Sequence, residues 1–169
     1  MLVLFFQFAR QSIPAPIIIG LPNRIQIASI QVDAAIESVA IAPDGSMDVP
    51  KSIFNTAWYE LGPRPGEVGS AVIDGHVDGP DGGPAVFADL KNLQQGDKIS
   101  VIDDQGNAIV FQVRELRILN SDADATEIFT SSDGLAHLNL ITCIGVWDKQ
   151  AQSYTQRLIV FADQEINVK

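Results

Sequence analysis

Apolar residues along this chain recur in short alternating runs broken by glycine and proline, a period of two that specifies strands rather than helices. Runs at 24–27, 36–41, 70–74, 98–103, 108–119, 137–142 and 156–162 read as strands. Seven or eight short strands imply an all-β barrel or sandwich. Only 52–58, 85–91 and 124–129 look helical, the last two after Gly82-Gly83-Pro84 and at Asp124, which suit a helix start. Asp103-Asp104-Gln105-Gly106-Asn107 separates two alternating runs and reads as a hairpin turn, because Asp, Asn and Gly tolerate positive φ.

With 169 residues, 46% of them apolar and 19% charged, the composition is that of one folded domain able to bury a core without staples. Eleven Lys and Arg against 21 Asp and Glu leave a formal charge of -10, which repels phosphate backbones and anionic membrane faces. Nucleic acid is therefore not an expected partner. The opening run from Met1 to Phe8 is cut short by Arg10-Gln11, well under the roughly 20 apolar residues of a spanning helix. Residues 1–22 are expected to be an N-terminal extension: an anchor remnant or residues added for expression, partly packed on the body. Residues 23–169 form the expected domain, soluble as it stands, touching a membrane only through such an anchor.

Cys143 is the sole cysteine, so no internal disulfide exists. It follows His137-Leu138-Asn139-Leu140-Ile141-Thr142, an alternating run that ends on the glycine at 145. Taken alone, such a thiol reads either as a small core residue or as a nucleophile, which needs a base and a positive group nearby. His76 stands where the apolar strand Ala71-Val72-Ile73 gives way to a glycine-rich loop, a place where scaffolds present reactive groups. Its plain alternative is a turn histidine. Arg157 lies in another strand, fourteen residues after Cys143. If the two strands pair antiparallel, residues 144–154 fold back and set Arg157 beside Cys143; otherwise it is an edge charge facing solvent.

Asn139-Leu140-Ile141-Thr142-Cys143 resembles the Thr-Leu-x-Thr-Cys signature of sortases, the cysteine transpeptidases of bacterial surfaces, and Ile73-Asp74-Gly75-His76 resembles their histidine segment. The order His, Cys, Arg agrees. Segments 44–50, 58–59, 62–67, 83–87 and 95–97 are similar to the class F and class D-like branches, so the likeness runs over about 23–163. It implies a closed barrel of seven or eight strands, no cofactor and no metal. It further implies Cys143 as nucleophile, His76 as acid and base, and Arg157 as holder of the oxyanion or the substrate backbone. The substrate would be a surface protein or pilin carrying a Leu-Pro-x-Thr-Gly type signal. The acceptor would be an amine such as a peptidoglycan precursor, with water as a slow substitute, at the outer face of a bacterial membrane.

Thr142, Asn139, Ile141 and Asp74 are the expected substrate-binding residues, and 120–136 corresponds to the loop that walls the apolar part of the signal. Asn139 replaces the first threonine of the signature, and Asp74 stands where a small residue is common, so both bear on signal preference. His137, six residues before Cys143, lies about 20 Å away at strand rise and is too far to serve as the base. Acidic loops at 78–81 and 121–124 have no EF-hand spacing and read as turns. An L,D-transpeptidase would carry an arginine two residues after the cysteine, where this chain has Gly145. A non-catalytic β module would instead bury the thiol and leave it silent to alkylation.

Overall fold

Alternating residues of eight strands close into a barrel in the computed structural model, which describes residues 18–165. The strands are β1 (Pro22–Ile27), β2 (Val32–Val39), β3 (Thr56–Tyr59), β4 (Gly69–Gly75), β5 (Lys98–Asp103), β6 (Ala108–Asn120), β7 (Ala136–Asp148) and β8 (Ser153–Gln164). Their order around the barrel is β1-β2-β3-β4-β7-β8-β6-β5, which leaves no open edge. Pairs β2–β3 and β4–β7 are parallel and the rest antiparallel. The expected N-terminal extension lies mostly outside the described residues. Among those described, no helix is long and apolar enough to cross a membrane.

The helical expectations fare unevenly. Residues 124–129 yield the single turn α1 (Thr126–Phe129), opened by Asp124 accepting from the Thr126 amide. Residues 85–91 form turns leading into a 3-10 turn at Leu90–Asn92. The stretch 52–58 is not helical. It turns at Ser52 and then enters β3, whose Thr56, Ala57 and Trp58 are buried on both sides between β2 and β4. The hairpin at 103–107 forms as expected, with Asp103 accepting from the Gln105 and Asn107 amides and Gly106 at φ 84°.

β4, β7 and β8 are covered on both faces, which is why their sequences run apolar with little interruption. Ala71, Ile73, Leu138, Leu140, Leu158 and Val160 point into the barrel with Ile25, Phe87 and Phe111. Val72, Ile159 and Phe161 point outward, beneath Ile128 of α1. The outward layer exists because the segments around Met47 and Phe129 fold over these strands. Between those two flaps lies a cleft.

At the opposite end of β7, His137 is nearly buried and both ring nitrogens face carboxylates: Nδ1 is 2.7 Å from Asp163 and Nε2 2.9 Å from Asp133. Arg114 pairs with the same Asp163 oxygen at 2.7 Å. Burial alone would push the imidazole down, but bonds to Asp133 and then Asp163 outweigh it and hold its pKa above the ordinary value. A raised folded-state pKa stabilises fully below the unfolded value, about 6.5, and the contribution fades as pH climbs through the raised value. We therefore expect the thermal midpoint to fall as pH rises from about 6 upward, and the slope to flatten in His137→Gln. Thermal melts of both proteins across that range check it.

Candidate active site

The cleft floor is built from three strands whose outward side chains align in rows. Register pairs Val72 with Asn139, Asp74 with Ile141, Asn139 with Phe161, Ile141 with Ile159, and Cys143 with Arg157. The rows therefore read Val72–Asn139–Phe161, then Asp74–Ile141–Ile159, then Cys143–Arg157 with His76 one step past the end of β4. Successive rows are two residues, about 7 Å, apart. Asp74, His76, Ile141, Cys143, Arg157 and Ile159 all line one cleft of about 570 Å³. Leu119 and Phe129 wall it on the side of residues 120–136, and Met47 and Tyr59 on the other.

Cys143 is half-buried. It does not end its strand, as the glycine at 145 suggested. Gly145 adopts φ 93° within a bulge between Ile144 and Trp147, and β7 continues to Asp148 before turning into β8. The hairpin therefore begins beyond Cys143, and the antiparallel return places Arg157 directly across from it. Arg157 is braced from its own hairpin: Nη1 donates to the carbonyls of Tyr154 and Gln156 at 2.9 and 3.1 Å, and Nη2 to Ser153 Oγ at 3.2 Å.

Burial pushes the Cys143 thiol up, Arg157 pulls it down, and the carboxylates of Asp74 and Asp78 push it up again. The balance leaves the thiol above its ordinary value. Asp74 is itself pushed up to about 6, first by burial, against the opposing charges of His76 and Arg157.

His76 is held from two directions. Its Nε2 lies 3.0 Å from the Pro50 carbonyl, which can only accept, so Nε2 carries the hydrogen and Nδ1 is left as the acceptor. On the chain side, Phe87 N donates to the His76 carbonyl at 2.9 Å. Two residues on, Asp78 accepts from the Tyr154 hydroxyl, and Tyr154 packs edge-on against Trp147 at 5.3 Å. The loop bearing His76 is thereby tied to the hairpin bearing Cys143 and Arg157. Nothing in the sequence pattern pointed to Pro50, Asp78 or Tyr154, because each acts across 26 or 76 residues of chain.

Two expected substrate contacts take other positions. Thr142 is 2% exposed and faces away from the cleft, and its hydroxyl donates to the Gly75 carbonyl at 2.7 Å. It touches only a smaller cavity, of about 160 Å³, behind Cys143. Asn139 is also 2% exposed, and its amide donates to the Ile128 carbonyl at 2.6 Å, fastening α1 over the floor. Alternation explains the first, since Thr142 and Cys143 must face opposite sides. The second shares the face of Cys143 but is capped by α1. Thr142→Val should leave the buried Gly75 carbonyl without its donor and cost about 1–3 kcal/mol. Denaturant unfolding of that variant beside Thr142→Ser, which keeps the hydroxyl, measures it.

A protein-family model described as a sortase domain matches residues 25–165. Solved structures with the same fold include sortase C1 from Streptococcus agalactiae, at TM-score 0.67 and 20% identity over 86% of this chain and 67% of that one. A lid mutant of sortase A from Corynebacterium diphtheriae aligns at TM-score 0.68 and 19% identity, over 90% and 74%. A Clostridium perfringens sortase D5 transpeptidase aligns at TM-score 0.64 and 20% identity, over 86% and 79%. At such identities the likeness is one of fold, and it spans sortases titled A, C and D5. No curated protein sequence matches the chain.

Proposed function

The chain belongs to the sortase family of cysteine transpeptidases, which act at the cell surface on proteins bearing sorting signals, and from that premise we propose how its own residues carry out the reaction. Cys143 is the nucleophile, His76 the general acid and base, and Arg157 the oxyanion or backbone donor, in a catalytic domain spanning 23–169 after an extension of 1–22. The observation that carries this reading is the row Cys143–Arg157 with His76 at its end, lying in one cleft beside the apolar side chains of Ile141 and Ile159.

The substrate we assign is a Leu-Pro-x-Thr-Gly type signal on a surface protein or pilin, as in the class F or class D-like branches. The Cys143 sulfur attacks the threonine carbonyl, forming a C–S bond as the thiol proton passes to His76. The carbonyl oxygen gathers negative charge, and Arg157 lies across the strand to meet it. The threonine–glycine C–N bond then breaks, and the departing amine takes its proton from His76. An acceptor amine, from a peptidoglycan precursor or a pilin lysine, gives its proton to His76 and attacks the thioacyl carbon; the C–S bond breaks, and the leaving sulfur takes that proton from His76 to restore the Cys143 thiol. Water completes the same cycle more slowly. The apolar walls at Leu119, Ile128 and Phe129 suit the leucine and proline of the signal.

The test is mass spectrometry of the intact protein incubated with a library of Leu-Pro-x-Thr-Gly peptides. A thioacyl adduct on Cys143, absent from Cys143→Ala, supports the reading. A protein that cleaves the peptides equally well as Cys143→Ala refutes it.

A further inference from the structure

Resting on the roles just assigned to Cys143, His76 and Arg157, we propose that Asp74 selects sorting signals carrying a lysine or arginine side chain close to the scissile bond. Asp74 lies in the row next to that of Cys143, about 7 Å along the strands, and it lines the same cleft. Its strand partners are Ala57 on β3 and Ile141 on β7, and neither can donate a side-chain hydrogen bond.

The charged and titratable groups around Asp74 leave it without a partner. Arg157, on β8, gives its hydrogen bonds to Tyr154, Gln156 and Ser153 and none to Asp74. His76 turns its Nε2 to the Pro50 carbonyl. Cys143 on β7 and Tyr59 on β3 complete the set, and neither donates to Asp74. No side chain hydrogen-bonds the carboxylate among the described residues; the charges of His76 and then Arg157 favour its ionised form at a distance, and the Gly75 backbone adds a hydrogen bond.

A carboxylate withdrawn from water with no side chain hydrogen-bonded to it is costly unless something neutralises it. With no side chain of the protein hydrogen-bonded to it, the carboxylate is open to two further agents: a proton, or a cation brought by the substrate. The raised value near 6 shows how readily the proton serves at low pH. Above that value the site presents an unpaired negative charge one row from the sulfur. An extended peptide spans that interval in two residues, so a side chain near the scissile bond reaches Asp74. Lysine and arginine form charge-assisted bonds there that a neutral donor cannot match. The net charge of -10 steers cationic segments the same way.

The test compares kcat/KM for paired signal peptides carrying lysine or its uncharged analogue norleucine at each position flanking the Thr-Gly bond. A ratio cancels the pH dependence of the cysteine and histidine chemistry. Wild type should favour lysine by about tenfold at one position at pH 8, with the ratio falling toward one at pH 5 as the carboxyl takes up its proton. In Asp74→Asn the ratio should stay near one throughout. A wild-type ratio near one at every position, or a preference that survives in Asp74→Asn, overturns the assignment while leaving the transpeptidase reading intact. Failure of every peptide to acylate Cys143 overturns both.

Discussion

Arg157→Ala should lower kcat/KM on a cleavable signal peptide by about 10²–10³-fold, the usual loss when a preorganised donor to a developing oxyanion is removed. The basis is positional. Arg157 faces Cys143 directly across β7 and β8, and three hydrogen bonds from its own hairpin hold the guanidinium in place before any substrate arrives. Lysine keeps the charge but loses the planar fork and at least one of those braces, so Arg157→Lys should recover only part of the loss. A second readout separates charge from geometry. Arg157 is the cationic influence that pulls the Cys143 thiol down against burial, Asp74 and Asp78. Its removal should raise the thiol further and slow iodoacetamide alkylation at neutral pH, whereas Asp74→Asn should speed it. Wild-type turnover in Arg157→Ala would remove this residue from the transition state.

The pairing behind that prediction was legible in the chain because a strand, a short return and a second strand leave few alternatives, and the return at 144–154 is long enough to fold back. Period-two alternation located β5 and β6, where one face is apolar, and β4 and β8, covered on both faces, stood out as longer apolar runs. It failed at β3, where Thr56-Ala57-Trp58-Tyr59 is only four residues long and buried on both sides, so no alternation remains. It misplaced the end of β7, since Gly145 reads as a terminator but is a bulge within a continuing strand. Thr142 was drawn to the substrate by its nearness to Cys143, though strand parity alone would have turned it inward. Asn139 had the right parity, and only the fold of α1 over it decides that it braces the wall instead. The ties to Pro50 and Tyr154 are products of closure and have no local signature.

Gly75→Ala should damage both stability and turnover, through a single methyl group. A Cβ at this position would lie 2.5, 2.8 and 2.9 Å from three ring carbons of Phe87, closer than real contacts allow. The ring cannot retreat, because Phe87 is fully buried in the barrel core and its own amide is bonded to the His76 carbonyl. The glycine cannot retreat either, since its carbonyl receives the Thr142 hydroxyl and its strand is paired on both edges. Overpacking of this kind costs about 1–3 kcal/mol. The strain falls between Asp74 and His76, so a shift on the order of 1 Å at the imidazole should cost about 100-fold in kcat. Stopped-assay kinetics and denaturant unfolding of the same preparation give the two numbers. Shrinking the obstacle discriminates the cause: Gly75→Ala combined with Phe87→Leu should regain turnover relative to Gly75→Ala alone, even though the smaller side chain weakens the core. If the double variant is as inactive as the single one, the glycine is required for something other than the space beside Phe87.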